Sequence, residues 1–323
     1  MKPWDFALPQ SGPRPDGEKG CAMSEQEPGK ITVPSLSAKK AAGERIAVLT
    51  AYDFPSARIL DESGVDIILV GDSLGMVVLG YENTIPVTMD DMLHHTKAVV
   101  RAVKRALVIG DMPYGSFHTS VEGAIRNAIR FLKEAGAGGV KIEGASPERL
   151  EIVEALVGAE VPVMGHVGLT PQSIRRLGQY KVKGTVPEEA RRIVRGAMDL
   201  ERAGAFAVVL ESIPLEIARE VTARLRIPTI GIGAGPYCDG QVLVFHDVMG
   251  FATGYLPKFV RKYADLHGIL RRAVGEYVAD VRKGVFPDDA ASYHLRPEDV
   301  GRVLRGLGFA KGAGKSRKGR KRA

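Results

Sequence analysis

Three acidic residues come directly after short apolar runs of the sequence, namely Asp72, Asp111 and Glu143. Runs rich in Val and Ile are typical of strands in a parallel sheet, because such strands are buried on both faces. The carboxyl ends of parallel strands lie on the same side of the sheet, so we expect these carboxylates to converge. Carboxylate oxygens are the ligands that Mg²⁺ prefers, and the pattern therefore predicts a magnesium site.

Two further polar residues end apolar runs later in the chain, His166 and Glu211. A single acid in this position would be interpreted as a helix cap, but the repeated pattern favours a shared site. Glu211 is a candidate for a fourth metal ligand or for a general base. His166 is a candidate for substrate contact, although a histidine packed in the core is the alternative interpretation.

Lys141 lies two residues before Glu143, so the two side chains point to the same face of their strand. Both faces of a barrel strand are dry, and an unpaired charge there is costly. The pair therefore indicates a polar ligand or a metal at the strand ends. A purely structural ion pair is the alternative.

Strands and helices alternate along the sequence, which predicts an α/β fold built from parallel βαβ units. The count of eight strands favours a (β/α)8 TIM barrel, and a doubly wound open sheet is the alternative. The predicted strands lie at 46–51, 65–70, 106–110, 139–142, 161–165, 205–210, 228–232 and 242–246. The predicted helices lie at 55–62, 88–104, 120–135, from 146 onward, and at 187–203, 214–225, 258–283 and 297–306. Residues 167–186 form a long connection of the kind that often serves as a lid or binding loop.

The two ends of the 323-residue chain differ in composition from the rest. Residues 1–30 are rich in Pro, Gly and polar residues, which predicts a disordered leader. Residues 311–323 contain seven Lys or Arg and no acid, so this tail carries the whole formal net charge of +7. The tail has no interleaved aromatic residues, so a flexible extension is favoured over a nucleic-acid-binding segment. The predicted catalytic domain is 31–310.

Localisation is predicted from cysteine content and from apolar runs. Two cysteines give no disulfide framework, which is typical of a reducing compartment. The start of the sequence lacks the basic and apolar regions of a secretory signal, and no run is long enough to span a membrane. We therefore expect a cytoplasmic protein without a membrane partner.

Seven short motifs carry a resemblance to a known family. The chain resembles the ketopantoate hydroxymethyltransferase family, of the phosphoenolpyruvate mutase and isocitrate lyase superfamily, over approximately residues 31–283. Several motifs in the same order are far more specific than any one alone. The motifs are TAYD at 50–53, VGDSLGMV at 70–77, GDMP at 110–113, KIEG at 141–144, GHVGLTPQ at 165–172, LESIP at 210–214 and IGIGAG at 230–235.

The resemblance implies a (β/α)8 barrel that uses Mg²⁺ to transfer a one-carbon unit from 5,10-methylenetetrahydrofolate to 3-methyl-2-oxobutanoate. The product would be 2-dehydropantoate, an intermediate of pantothenate and coenzyme A biosynthesis. The resemblance also implies a homo-oligomer, commonly a decamer, with small-molecule substrates and no nucleic-acid partner.

The resemblance implies a role for each site residue as well. Asp72, Asp111 and Glu143 would form the metal site, with Asp72 and Asp111 also binding the substrate. Ser73 and Lys141 would bind the 2-oxoacid, and Glu211 would accept the proton. A related Mg²⁺-dependent 2-oxoacid C–C lyase is the alternative, but the sequence has no candidate nucleophilic cysteine near the motifs that contain the proposed site residues, and Cys238 is the only cysteine in the predicted ordered region.

Overall fold

The computed structural model describes residues 29–251, 254 and 256–308. The predicted leader at 1–30, apart from its last two residues, and the predicted tail at 311–323 lie outside the described residues. The chain divides into two compact units, one ending at Val244 and one beginning at Phe245. Among the described helices, none combines the length and the apolar character needed to cross a bilayer.

The first unit is a closed barrel of eight parallel strands in sequential order, which confirms the predicted (β/α)8 class. Each strand pairs with its neighbours in the sequence, and the first strand also pairs with the last. The strands are β1 Ile46–Thr50, β2 Ile67–Val70, β3 Leu107–Asp111, β4 Gly139–Glu143, β5 Val163–Gly168, β6 Ala207–Glu211, β7 Thr229–Ile232 and β8 Gly240–Leu243.

Helices of the first unit connect the strands, and several begin with the caps that the sequence indicates. Asp53 accepts a hydrogen bond from the Ser56 amide at 2.8 Å, and Thr88 and Asp91 form a reciprocal capping box. These helices are α1 Val33–Ala42, α2 Phe54–Glu62, α3 Leu74–Val77, α4 Met89–Ala102, α5 Val121–Lys133, α6 Pro147–Gly158, α7 Ile174–Leu177, α8 Pro187–Arg202 and α9 Leu215–Arg224.

Apolar side chains at alternate strand positions fill the interior of the barrel. Helix α1, which the sequence analysis did not predict, adds the fully buried Leu36 to this core. The Ile31 amide donates to the carbonyl of Arg105 at 2.8 Å, just before β3, so this segment covers the amino-terminal end of the barrel. The core contains Ile46, Val48, Ile67, Leu69, Leu107, Ile109, Met164, Ala207, Val209, Ile230 and Val242. The apolar packing therefore leaves the opposite, carboxyl end of the barrel for chemistry.

The second unit contains the helices α10 Phe245–Val248, α11 Leu266–Lys283 and α12 Pro297–Gly306. Several predicted boundaries were wrong, among them that of β5, predicted at 161–165 and observed at Val163–Gly168, and those of β8 and of one helix in this unit. The last strand was predicted at 242–246 but ends at Leu243, because Phe245 already begins α10. The helix predicted at 258–283 begins only at Leu266, where Asp265 caps it by accepting from the Gly268 amide.

Gly110 lies in β3 against the ring of Phe131 in α5. A Cβ atom at this position would come within 2.4 Å of the ring, which is fully buried and has little room to move. We expect Gly110→Ala to lower the free energy of unfolding by about 1–3 kcal/mol, measured by urea denaturation.

Gly158→Ala is the matched control, since Gly158 ends α6 and a Cβ atom there would meet nothing within 4 Å. Alanine at this helical position should be neutral or stabilise by up to about 1 kcal/mol. Equal unfolding free energies for Gly110→Ala and the unmodified protein would contradict the packing described for β3.

Candidate active site at the carboxyl ends of the strands

The strand register brings polar side chains together at the carboxyl end of the barrel. Asp111 pairs with Lys141 across β3 and β4, and Glu143 pairs with His166 across β4 and β5. Paired residues of parallel strands point to the same face, and Asp111 lies two positions after the core residue Ile109. These four side chains therefore project into the interior of the barrel at its mouth.

Asp111 and Lys141 form a buried ion pair at this mouth. The Lys141 ammonium donates to one carboxylate oxygen of Asp111, while the other oxygen, Oδ1, has no hydrogen-bond partner among the described residues. Burial alone would lower the pKa of Lys141, but the carboxylates of Asp111, Glu143 and Asp72 outweigh it and raise that pKa. Lys141 therefore stays charged.

Asp72 follows β2 and is 5% exposed. Burial, and then repulsion by Asp111, raises the pKa of Asp72 to about 7, while the charge of Lys141 acts in the opposite direction. Burial and the charge of Asp72 likewise raise the pKa of Glu143. The raised pKa values indicate that negative charge on these buried acids is unfavourable with Lys141 as their buried cation, so a bound cation would stabilise their ionised forms.

Ser73, the residue after Asp72, forms a hydrogen bond through its hydroxyl to the Tyr52 hydroxyl at 2.8 Å. A Cβ atom on Gly71 would lie 2.9 Å from the Ser73 hydroxyl oxygen and 3.9 Å from the Asp111 carboxylate. Glycine at position 71 therefore leaves space for these two side chains beside each other.

Gln172 is a site residue that the sequence analysis did not identify. Its side-chain amide donates to Asp72 and to the Met112 carbonyl, each at 2.9 Å, and its backbone amide donates to Glu143 at 3.1 Å. The Gln172 side-chain oxygen has no partner among the described residues. The only sequence signal was its place in the motif at 165–172, which gives no indication of these contacts.

His166 lies between two acids and is 1% exposed. Its Nε2 atom is 3.2 Å from the Glu211 carboxylate, and its Nδ1 atom is 3.7 Å from the Glu143 carboxylate. Glu211 is the more accessible acid, with 18% of its side chain exposed. The structure thus places Glu211, predicted as base or ligand, at the same mouth as the other acids.

The long connection predicted at 167–186 contains a 3-10 turn at Pro171–Ser173 and the short helix α7. Burial raises the pKa of Tyr180 in this connection, and the charges of Asp72, Glu143 and Glu211 raise it further. Tyr180 therefore lies near the acids of the mouth, as a binding loop requires. Nothing in the apolar pattern of the sequence indicated this residue.

In the described part of the chain, no three His, Cys, Asp or Glu side chains are close enough together to enclose a metal ion by themselves. Mg²⁺ does not need such an enclosure, because it usually takes one or two protein carboxylates and completes its shell with water and substrate. The unpartnered Oδ1 atom of Asp111 and the raised pKa values of Asp72 and Glu143 fit such a cation.

Cys238 is the only cysteine in the described part of the chain, and it is buried and free. It precedes β8, at the amino-terminal end of the barrel, and its carbonyl accepts a hydrogen bond from Arg45, just before β1. The site acids lie at the opposite end. This cysteine is therefore not placed to act as a nucleophile at the mouth, as the lyase alternative would require.

Comparison with known proteins gives concordant results at the levels of family and fold. The model of the family described as ketopantoate hydroxymethyltransferase matches residues 30–289. A 3-methyl-2-oxobutanoate hydroxymethyltransferase of Thermoanaerobacter sp. (strain X514) is 54% identical over 270 residues, which cover 84% of this chain and 98% of the relative. The enzyme of that name from Geobacter metallireducens is 53% identical over 264 residues, 82% of this chain and 98% of the relative.

Solved structures share the fold at low sequence identity. 2,3-Dimethylmalate lyase, a member of the PEP mutase/isocitrate lyase superfamily, aligns with a TM-score of 0.53 and 18% identity, over 87% of this chain and 96% of the lyase. Phosphonopyruvate hydrolase in complex with oxalate and Mg²⁺ aligns with a TM-score of 0.52 and 15% identity, over 86% and 95% of the two chains. At this level of identity the likenesses show the fold alone.

Gln172→Ala tests the hydrogen bonds that join the connection to the mouth. The variant loses both amide hydrogen bonds and leaves buried acceptors on Asp72 and Met112, so we expect unfolding to become about 1–3 kcal/mol easier. Gln179→Ala is the control, because Gln179 lies in the same connection but is exposed. Similar losses of urea stability in the two variants would contradict the role described for Gln172.

Proposed function

Because this chain belongs to the ketopantoate hydroxymethyltransferase family and is a hydroxymethyltransferase, we propose that the acids at the barrel mouth carry the reaction. In the proposed reaction, 3-methyl-2-oxobutanoate receives a one-carbon unit from 5,10-methylenetetrahydrofolate to give 2-dehydropantoate. The observation that carries the proposal is the convergence of buried acids, with Lys141 as their buried cation, at the carboxyl ends of the strands.

We propose Asp72, Asp111 and Glu143 as the residues that hold Mg²⁺, directly or through water. The fit is supported by their burial and by the unpartnered oxygen of Asp111. When bound, Mg²⁺ would supply Lewis-acid character that makes the C3 hydrogen of the 2-oxoacid more acidic. The phosphonopyruvate hydrolase of similar fold was crystallised with oxalate, a small dicarboxylate, and Mg²⁺.

Lys141 and Ser73 are the proposed binding groups for the 2-oxoacid. The Lys141 ammonium is buried beside Asp111, so its charge is weakly screened where oxyanion charge develops during the reaction. The Ser73 hydroxyl is oriented by Tyr52 and can donate to a carboxylate or keto oxygen.

Glu211 is the proposed base. Its carboxylate is part-exposed at the mouth, where a substrate can reach it, and His166 lies beside it at 3.2 Å. Glu211 removes the C3 proton, and the electron pair left on C3 forms the new carbon–carbon bond to the methylene carbon. That carbon is bonded to two folate nitrogens, and one of these bonds breaks as the carbon–carbon bond forms. A water molecule then replaces the second nitrogen, which gives the hydroxymethyl group. The proton taken from C3 and one proton of the water end on the two nitrogens, and tetrahydrofolate leaves. The proposed role of His166, whose Nε2 atom lies 3.2 Å from Glu211, is to orient this carboxylate and to contact substrate.

A homo-oligomer in the cytoplasm, commonly a decamer in the family, is also proposed. Helix α11 supports the assembly, because none of its residues is buried and several large apolar side chains are exposed on it. Exposed apolar side chains in such number are typical of association surfaces. These side chains are Ile269, Leu270, Val274, Tyr277 and Val281.

Glu211→Gln tests the base, since it keeps the shape of the side chain and removes its basicity. If deprotonation precedes carbon transfer, the enzyme should exchange the C3 hydrogen with deuterated solvent without folate. We expect the exchange rate, measured by NMR, to fall by about 10²–10⁴ in this variant. Binding of Mg²⁺ and of 3-methyl-2-oxobutanoate should be nearly unchanged.

Glu216→Gln on the exposed surface of α9 is the control and should exchange at the normal rate. Exchange at the normal rate in Glu211→Gln would exclude Glu211 as the base. His166 would then be the next group to test.

Asp72→Asn and Asp111→Asn test the metal residues, because an amide oxygen lacks the negative charge that holds a hard cation. Loss of a residue that supports a metal only indirectly typically weakens affinity about 10- to 100-fold, so we expect at least the lower value here. Asp90→Asn is the control, on a side chain that is 86% exposed and paired with Arg130. The Mg²⁺ affinities of the three variants are compared by calorimetric titration. Unchanged affinity in both Asp72→Asn and Asp111→Asn would exclude these two residues from the metal site.

A further inference from the structure

A cavity of about 940 Å³ opens beside the mouth acids, and Glu143 and Gln172 form part of its lining. Most of the remaining lining comes from the segment after β3, the start of α6, the end of β5, helix α7 and one side of α8. A volume near the upper end of the usual range for small-molecule pockets leaves room for a ligand much larger than a five-carbon oxoacid. The proposed 2-oxoacid therefore does not account for this space.

One side of the cavity carries an excess of positive charge. Arg175 and Arg176 of α7 and Arg192 and Arg195 of α8 line it. No hydrogen bond or ion pair joins any of these four side chains to another described residue, whereas the adjacent Arg191 pairs with Glu188 at 3.2 Å. Among the described residues, the whole lining contains six Lys or Arg side chains and three acids, Glu143, Glu189 and Asp199, so its excess of positive charge favours an anionic ligand.

Aromatic rings line another part of the same cavity. The His118 ring lies with its centroid 4.7 Å from that of Tyr114 and 4.4 Å from that of Phe117. Burial, and then the charge of Arg149, lowers the pKa of His118 to about 4, so this ring is neutral at physiological pH. Arg149 in turn lies 4.8 Å over the Phe117 ring. This wall favours a flat aromatic group.

We propose that this cavity binds the aromatic body and the glutamate tail of the folate co-substrate, an inference that depends on the proposed function. The aromatic wall would contact the aminobenzoyl group, and the arginines would bind the tail carboxylates. The lining by Glu143 and Gln172 places the pterin end beside the mouth acids, where the methylene carbon must be. A single glutamate has two carboxylates. Four arginines without a partner among the described residues can donate to more than two, so they can also bind the further carboxylates of a longer tail.

The double variant Arg192→Gln and Arg195→Gln tests the cationic wall. Both side chains are exposed and neither is part of the proposed metal or base machinery, so the fold should tolerate the change. We expect binding of tetrahydropteroyltriglutamate, measured by calorimetry, to weaken about three- to tenfold, as the loss of two exposed charge contacts implies. The monoglutamate should lose less. The difference in triglutamate affinity between the double variant and the unmodified protein should become smaller at higher ionic strength.

Arg191→Gln is the matched control, one position away on α8, outside the cavity lining and with its own acidic partner. It should bind the triglutamate normally. Unchanged triglutamate affinity in the double variant, or an equal loss in Arg191→Gln, would overturn the proposal.

Two readouts separate this inference from the proposed function. Folate-independent exchange of the C3 hydrogen tests the chemistry at the mouth and should be unchanged in the double variant. Calorimetric binding of tetrahydropteroyltriglutamate needs no turnover and tests the cavity alone. Absent exchange together with arginine-dependent triglutamate binding would overturn the mouth chemistry but support the cavity. Normal exchange together with triglutamate binding that does not depend on the arginines would support the mouth chemistry and overturn the cavity proposal.

Discussion

Burial of several like charges at one end of the barrel is the constraint on which the rest of the structure depends. Asp72, Asp111 and Glu143 are each at most 5% exposed, and Lys141 is the buried cation beside them. Such a cluster is costly without compensation, because water no longer screens the repulsion. The closed barrel holds the acids together despite this cost, since their positions are set by strand register and by the apolar core below them.

The fold could be predicted largely from local pattern, because runs of Val and Ile that end in an acid mark parallel strands and their carboxyl ends. The errors arose where a tertiary contact decided the boundary. In β8, the apolar run at 242–246 suggested a strand, but pairing with β1 requires Gly240 opposite Ile46. A Cβ atom at Gly240 would come within 2.5 Å of the Ile46 carbonyl oxygen, so the strand includes a glycine that the pattern did not count.

The site could be predicted only for residues on strands or immediately after them. Asp111, Lys141 and Glu143 occupy positions that alternation and the strand ends define, and the structure brings them together. Gln172 and Tyr180 lie in the connection after β5, where no periodicity indicates the direction of a side chain. Gln172 contacts Asp72 across 100 residues of sequence, and that contact exists only because the barrel closes.

The mouth and the cavity beside it carry charges of opposite sign in different surroundings. At the mouth, buried acids repel one another, and the repulsion is relieved by protons, as the raised pKa values indicate, or by a bound cation. In the cavity, arginines stay exposed to water, which keeps their charge at little cost until an anion replaces that water. In the proposed complex, the glutamate tail of the folate binds away from the reacting atoms, so its binding energy does not itself lower the chemical barrier. It can, however, hold the methylene carbon of the folate close to the attacking carbon. Remote contacts increase the rate through positioning of this kind.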